Sequence, residues 1–399
     1  MADSLWLTII GLGEDGADGL GSASLAALAE AEIVMGAARH LDLLPKVQAE
    51  RIVWPVPFAD GIEQLLALRG RQVVMLASGD PFWFGAGSSM MRHLGPDEWR
   101  ALPGISTFSL AASAMGWPLE TTTCFGLHAV PLTRLRPALA QDVRLIVLLR
   151  DGAAVTALGD YLTTQGWGAS NVSVLEALGG PRARRSDLTA ADLGGAEFGH
   201  PVCAAVHVSG GGVPLPLASG RPDEFFDSDG TMTKRPVRAL TLSALAPRPF
   251  QHLWDIGSGS GSIAIEWLLS DPSLSATAIE LDPTRAERIV SNAAALGVDR
   301  LTVVEGAAPD VLAPLPMPDT VFVGGGLSAS LLDWIYDNVP SGTRLVANAV
   351  TLESETLLMQ AQSVRGGDLL RIELAQAAPL GTRRGWKSSY PIVQWSVIL

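Results

Sequence analysis

The stretch Leu253-Trp254-Asp255-Ile256-Gly257-Ser258-Gly259-Ser260-Gly261 is an apolar run, an embedded acid and three glycines at alternate positions. Ile263, Ala264, Ile265, Trp267 and Leu268 continue it at helical spacing, so the pattern is strand, tight turn, helix. Glycines let a backbone turn sharply and approach a ligand that any Cβ would keep away. The helix that follows offers its free N–H groups to a negative group. The next apolar run ends Ala278-Ile279-Glu280, with the acid 23 residues beyond Gly257. An acid at the end of a second strand can accept both ribose hydroxyl hydrogens, which points to an adenosine-type ligand. No Gly-Lys-Ser/Thr follows the glycines, so an ATP-binding P-loop is excluded.

The D-x-G-x-G-x-G spacing beginning at Asp255 resembles the class I S-adenosylmethionine methyltransferases more than NAD enzymes. A pyrophosphate would sit badly beside Asp255, whereas an amino-acid ammonium would be favoured there. The candidate cofactor residues of this half are Asp255, Gly257, Gly259, Gly261 and Glu280, then Gly306 and Ala307 for the adenine edge, then Gly324. The run Phe322-Val323-Gly324-Gly325-Gly326 carries no Asn/Asp-Pro-Pro-Tyr to position an amine. We read Gly325 and Gly326 as the floor for a wide, flat substrate that brings its own nucleophilic carbon. Lys234, Arg235 and Arg238 put three cations into five residues, and Arg383 and Arg384, with Lys387, form a second cluster. In an acidic chain these clusters point to a polycarboxylate substrate. No acid, base or nucleophile stands out as an obligatory catalytic group.

Outward from this stretch, 399 residues suggest two or three domains, and 48% hydrophobic residues supply large cores. Apolar runs alternate with Ala/Leu-rich helical stretches throughout, which indicates α/β architecture with largely parallel sheets. Ser209-Gly210-Gly211-Gly212-Val213-Pro214-Leu215-Pro216 reads as a linker. The expected division is a domain over 1–208, a linker over 209–220 and a domain over 221–399. Gly116 and Pro118 suggest that the first domain has two lobes, about 1–115 and 116–208.

Ile10-Gly11-Leu12-Gly13-Glu14-Asp15-Gly16 matches a dinucleotide fingerprint in form only. Its helix begins about eight residues late, near Ser24, and the second strand ends Met35-Gly36-Ala37 with no acid for a ribose. Two more small-residue turns follow strands, Ser78-Gly79-Asp80-Pro81 and Pro103-Gly104-Ile105-Ser106-Thr107. Together these three turns resemble the tetrapyrrole (corrin and porphyrin) methylase family. Residues 232–238 with 254–267 resemble the decarboxylating class I methyltransferases of cobalamin biosynthesis. The two in this order resemble a family of fused corrin methyltransferases over essentially the whole chain.

The resemblance implies a bilobal tetrapyrrole-methylase-like domain followed by a Rossmann-like class I methyltransferase domain. It implies two S-adenosylmethionine sites, the first using Gly11, Gly13, Gly79, Asp80, Ser106 and Thr107. It also implies methylation of carbons 5 and 15 of an anionic precorrin, with loss of the ring-C acetate carboxylate. One departure falls in Leu127-His128-Ala129-Val130-Pro131, where the family often has a basic residue. His128 reads as a packed or surface residue ahead of a substrate contact, and Arg182, Arg184 and Arg185 as either a solvated loop or a carboxylate clamp.

Forty-one acidic against 28 basic residues give a net charge of −13, which argues against nucleic-acid partners. Cys124 and Cys203 form no metal or disulfide pattern and read as core residues of a cytoplasmic protein. Asp3 precedes a short apolar run with no basic segment, so no signal peptide is expected. No metal site and no membrane association are expected, and self-association is. Two other functions fit the glycine motif: methylation of a protein or RNA, and nucleoside sensing without turnover.

Overall fold

The computed structural model describes residues 5–399. The chain divides into two compact units, one formed by the residues up to Leu132 with Ala138–Val213, the other by Pro214–Leu399 with Thr133–Pro137.

The first unit opens with strands β1 (Leu7–Leu12), β2 (Ile33–Gly36), β3 (Glu50–Val53), β4 (Val73–Ser78) and β5 (Trp99–Leu102). They form a sheet in the order β3-β2-β4-β1-β5, every neighbour parallel. All of β1, and β4 up to Ala77, is buried. Such apolar runs fit a sheet covered on both faces by helices, here α1 (Ser22–Glu30), α2 (Ala38–Asp42), α3 (Phe58–Leu66) and α4 (Ala86–Met90). Helix α5 (Thr107–Met115) starts where Ser106 Oγ accepts the Ser109 N–H and stops at Gly116, φ 62°.

A second sheet then forms from β6 (Thr123–Gly126), β7 (Arg144–Leu149), β8 (Asn171–Glu176), β9 (Arg184–Thr189) and β10 (Val202–His207), ordered β6-β7-β10-β8-β9. Here the expectation of parallel strands fails. Only β6–β7 is parallel, and β7–β10, β10–β8 and β8–β9 are antiparallel. One helix, α6 (Gly152–Thr164), separates β7 from β8, and a short loop joins β8 to β9. Without a crossover helix, adjacent strands can pair only antiparallel. Edge strand β9 carries Arg184 and Arg185, exposed as edge charges are.

The second unit begins with α7 (Arg235–Leu245) and builds a sheet from β11 (His252–Ile256), β12 (Ser275–Glu280), β13 (Thr302–Glu305), β14 (Thr320–Val323), β15 (Arg344–Ala349), β16 (Asp368–Ile372) and β19 (Ile392–Ile398), with a hairpin of β17 (Ala375–Leu380) and β18 (Arg383–Ser388). The order is β13-β12-β11-β14-β15-β19-β16, parallel as far as β15 and antiparallel beyond. Helices α8 (Ser262–Ser270), α9 (Pro283–Ala295), α10 (Ala329–Asn338) and α11 (Leu352–Arg365) complete it. Asp282 caps α9 by accepting the Thr284 and Arg285 N–H groups, and Pro283 supplies the fixed φ of the first turn. Trp254, Trp267 and Trp395 are fully buried in its cores. The chain leaves β11 for β12 on one side and returns as β14 on the other. That reversal opens a crevice at the carboxyl ends of β11 and β14.

Candidate functional site

The crevice of the second unit is walled by two loops in backbone contact. Gly257, Gly259 and Gly261 have φ 68°, 62° and 77°, a region costly for residues with a Cβ. A Cβ on Gly257 would lie 2.6 Å from the Gly325 backbone, and one on Gly261 would lie 2.8 Å from Ile289. Gly324 N–H donates to Ile256 O at 2.9 Å, so the loops after β11 and β14 lock together. Gly325, partly exposed, is the backbone that Gly257 packs against. Gly326, φ 71°, does face open space.

Asp255 lies beneath the glycine loop, 1% exposed. Its Oδ2 accepts from Ser258 Oγ at 2.8 Å and from Ala264 N–H at 3.1 Å. Its Oδ1 and the nearby Ser260 Oγ are buried with no hydrogen-bond partner among the described residues. Burial pushes the Asp255 carboxyl up to about 6; hydrogen bonds from Ser258 and Ala264 oppose this, and the neighbouring Glu280 carboxylate adds to it. An orphaned, destabilised carboxylate oxygen calls for an incoming donor, and a cationic one would serve best.

Glu280, at the end of β12, holds the opposite wall. Its Oε2 accepts the Gly259 N–H at 2.7 Å and its Oε1 the Asp282 N–H at 3.1 Å, leaving each oxygen a free lone pair. Gly306 N–H donates to Glu280 O at 2.9 Å, which places the turn of Gly306 and Ala307 beside it. Asp255, Gly257, Gly259, Gly261, Glu280, Gly306, Ala307 and Gly324 thus share one end of one sheet.

The cation clusters fare differently. Lys234 and Arg235 are exposed at the start of α7. Arg238 is not a ligand group. It is 0% exposed, with Nε donating to Glu266 Oε1 at 2.6 Å, Nη1 to Thr233 O and Nη2 to Asp223 and Arg221 O. The physical reason is helical spacing: Arg238 shares the inward face with Thr241, Leu242 and Leu245, so its charge is spent on buried Glu266. Arg383 and Arg384 are exposed on the separate β17–β18 hairpin.

In the first unit the three small-residue turns meet. Gly79 N–H donates to Leu12 O and Gly104 N–H to Gly79 O, both at 3.0 Å. A Cβ on Gly11 would overlap Gly79 O and Gly104 N. Gly11 is therefore an interlock between turns, next to Leu12 and Gly13 in the cavity wall. Around this interlock is a cavity of about 600 Å³, lined by Gly13, Gly79, Asp80, Ser106 and Thr107 as well as by residues of the second sheet. Ser106 is committed to its cap, and Asp80 Oδ1 accepts the Phe82 N–H at 2.8 Å.

Much of this wall was not singled out from the sequence. Trp83 and Phe84 line the cavity, both exposed, and Trp83 packs on Phe108 at 4.8 Å between ring centroids. Phe84 holds φ 55°, an unusual conformation for an aromatic residue. Arg39 and His40, just past the end of β2, line it too, beside Glu14. Arg39 bridges to Glu14, which also accepts from Arg182 at 2.8 Å. The detectable signal was a strand leading into an Arg-His pair two residues past Ala37. His128 is an exposed surface residue that lines the cavity as well. Arg184 and Arg185 pair with Glu176 and Asp187. Cys203 is a core thiol whose burial pushes it up to about 12.

No cluster of three potential metal ligands and no helix long and apolar enough to cross a membrane occurs among the described residues.

Two family models match the chain. One, described as tetrapyrrole (corrin/porphyrin) methylases, covers residues 6–193, and one described as a precorrin methyltransferase domain covers 224–399. A precorrin-6Y C(5,15)-methyltransferase (decarboxylating) of Sinorhizobium sp. is 48% identical over 98% of this chain and 96% of its own. A protein of the same description from Mycobacterium tuberculosis is 42% identical over 98% of this chain and 99% of its own. A cobalt-precorrin-6B C(15)-methyltransferase (decarboxylating) of Salmonella typhimurium is 32% identical over 177 residues, 43% of this chain and 91% of its own.

Proposed function

The chain belongs to the precorrin-6Y C(5,15)-methyltransferase (decarboxylating) family, and from that premise we propose that its two units divide the work. It is a methyltransferase of corrin synthesis. The second unit removes the ring-C acetate carboxylate and methylates carbon 15, and the first methylates carbon 5. The observation that carries this division is that each unit has a crevice of its own at the carboxyl ends of parallel strands. A relative named for carbon 15 and decarboxylation alone matches 43% of this chain over 91% of its own length, about the size of one unit, which supports giving the two methylations to separate units.

The methyl donor is S-adenosylmethionine, which supplies an activated methyl group when bound. In the second unit, Asp255 Oδ1 accepts from its ammonium and Glu280 from its ribose hydroxyls. Gly257, Gly259 and Gly261 admit it closely, and Gly306, Ala307 and Gly324 border its base. In the first unit, Gly13, Gly79, Asp80 and Thr107 line the corresponding crevice. Two donor sites per chain follow from this reading.

Methyl transfer asks mainly for alignment of the accepting carbon, so positioning groups matter more than reactive ones. In the first unit, exposed Trp83 and Phe84 offer apolar surface to a macrocycle bound there; in the second unit, exposed Lys234, Arg235, Arg383 and Arg384 suit a carboxylate rim. The domain limits belonging to this reading are 1–208 and 221–399, joined by 209–220. It also includes a cytoplasmic location, no nucleic-acid or membrane partner, and self-association, supported by the acidic balance and by exposed Leu380 and Trp386 on the hairpin.

The test uses two full-length variants and measures carbon dioxide release from the precorrin. Glu280→Ala should abolish release, and Asp80→Ala should preserve it. Release that survives Glu280→Ala and is lost with Asp80→Ala would reverse the assignment.

A further inference from the structure

Replacing a C–H hydrogen by a methyl group from a sulfonium donor is balanced only when one proton leaves. The carbon gains CH₃, the C–H electron pair returns to the conjugated system, and a proton must go to an acceptor. Besides His40, the first unit's cavity is lined by Asp80, His128 and His200, each able to accept a proton, so the choice among them rests on which one is held by a fixed hydrogen-bond relay. Glu14 is pinned between Arg39 and Arg182. The Cys203 thiol is buried and fully protonated, and Arg39 and Arg150 are already cationic.

His40 is different. It is 6% exposed yet lines the cavity through its ring, and its Nε2 lies 3.0 Å from Ser78 Oγ at the end of β4. Arg39 Nη2 lies 2.9 Å from the same Nε2 and 3.1 Å from Ser78 Oγ. A guanidinium can only donate, so this arrangement assigns Nε2 as an acceptor and puts the ring proton on Nδ1. Nδ1 is buried with no partner among the described residues. An unpaired buried N–H costs about 1–3 kcal/mol, so packing does not account for this tautomer. It is imposed from the cavity side, by Arg39 and Ser78.

We propose that Ser78 and His40 form the proton acceptor of the methylation carried out in this cavity. Ser78 Oγ, exposed in the wall, takes the proton from the methylated carbon as its own hydrogen passes to the single lone pair of His40 Nε2, the Arg39 Nη2–H that shares that nitrogen shifting wholly to Ser78 Oγ. Burial, with Arg39 alongside, holds the imidazole down to about 4, so it is neutral before the step and gives the proton up readily after it. A weak base is sufficient, because loss of this proton restores conjugation in the macrocycle. Arg39, tied to Glu14, fixes the ring and keeps Nε2 turned towards Ser78.

The inference rests on the reading that the first unit performs one of the two methylations. The experiment uses the full-length chain and precorrin deuterated at carbons 5 and 15. His40→Gln and Ser78→Ala should each lower kcat for one methylation by about 100-fold. They should also expose a deuterium isotope effect on that step that the unaltered chain lacks, while Ser78→Thr restores the rate. Calorimetric affinity for S-adenosylhomocysteine and the melting temperature should stay unchanged for Ser78→Ala, which carries the test if His40→Gln folds poorly. An isotope effect at carbon 15 would support the acceptor and overturn only the assignment of carbons to units. A rate loss without an isotope effect, an unchanged rate, or the same signature from His128→Gln in place of these two would overturn the proposal.

Discussion

Replacing Arg238 by alanine separates a structural cation from a substrate clamp. Its guanidinium makes a 2.6 Å bond to Glu266 Oε1, reaches Asp223 Oδ1 at 3.0 Å, donates to the carbonyls of Thr233 and Arg221, and lies 4.8 Å above the Phe226 ring. Glu266 is 0% exposed and would keep only the Gly220 and Arg221 N–H groups and the Arg221 guanidinium at 3.4 Å. Removing one partner of such a buried pair costs about 3–5 kcal/mol. At about 2–4 °C per kcal/mol for a domain of this size, the second unit's melting transition should fall by roughly 6–20 °C. Differential scanning calorimetry reads it directly. Because Glu266 also holds the buried Arg221 guanidinium, Arg238→Met with Glu266→Leu strands Arg221 in turn and should recover little of the loss. An unchanged melting temperature with a raised KM for precorrin would refute the reasoning and return Arg238 to the substrate.

Glu280→Ala should weaken nucleoside binding to the second unit by roughly 2–4 kcal/mol, two charge-assisted bonds being lost, and unchanged affinity by calorimetry would mean the ribose lies elsewhere. Titration of the full chain with S-adenosylhomocysteine should resolve two sites, of which Glu280→Ala removes one; a single site from the outset counts against the first crevice. Asp255 is raised in the folded state from 3.8 to about 6, so the folded chain holds more protons in that window and the ligand-free second unit loses roughly 3 kcal/mol as pH rises from about 4 to 6. Binding of cationic S-adenosylmethionine runs the opposite way, tightening about tenfold from pH 5 to 7.5, and Asp255→Asn should flatten both trends. A stability that climbs with pH across this window would show Asp255 to be stabilised as an anion.

The second unit was legible because its elements obey local rules. Each of β11, β12, β14 and β15 is a short apolar run buried on both faces, and each is followed by a loop and helix with its own cap or glycine turn. Strands of the other kind were missed. β9 reads Arg-Arg-Ser-Asp-Leu-Thr and β18 reads Arg-Arg-Gly-Trp-Lys-Ser, so as edge or hairpin strands they bury too little to show a pattern. Arg383 and Arg384 on β18 stay exposed, whereas Arg184 and Arg185 on β9 pair with Glu176 and Asp187, which a sequence does not display. Arg238 failed for the same reason, since its partner Glu266 is 28 residues away on another helix. The protein or RNA substrate and the nucleoside sensor allowed by the glycine motif give way to the corrin family on identity over the whole chain.

Glycine-rich turns also encode two demands that a sequence cannot separate. One is the approach of a ligand to backbone, and the other is the approach of one loop to another. Gly11 against Gly79 and Gly104, and Gly257 against Gly325, answer the second, since in each case a Cβ would strike neighbouring backbone. Gly259 and Gly326 meet nothing that a Cβ would strike, so their positive φ serves the turn and leaves room for a ligand. The interlocks set how far apart the crevice walls stand, and the residues between them carry the chemistry. In the second unit these are Asp255 and Glu280, acids the motif itself marks. In the first unit we propose that they are Ser78, from one of the small-residue turns, with Arg39 and His40, which belong to no motif. A bulkier residue at an interlocking glycine should therefore displace two loops at once, and a substitution between them should change the reaction while leaving the fold in place.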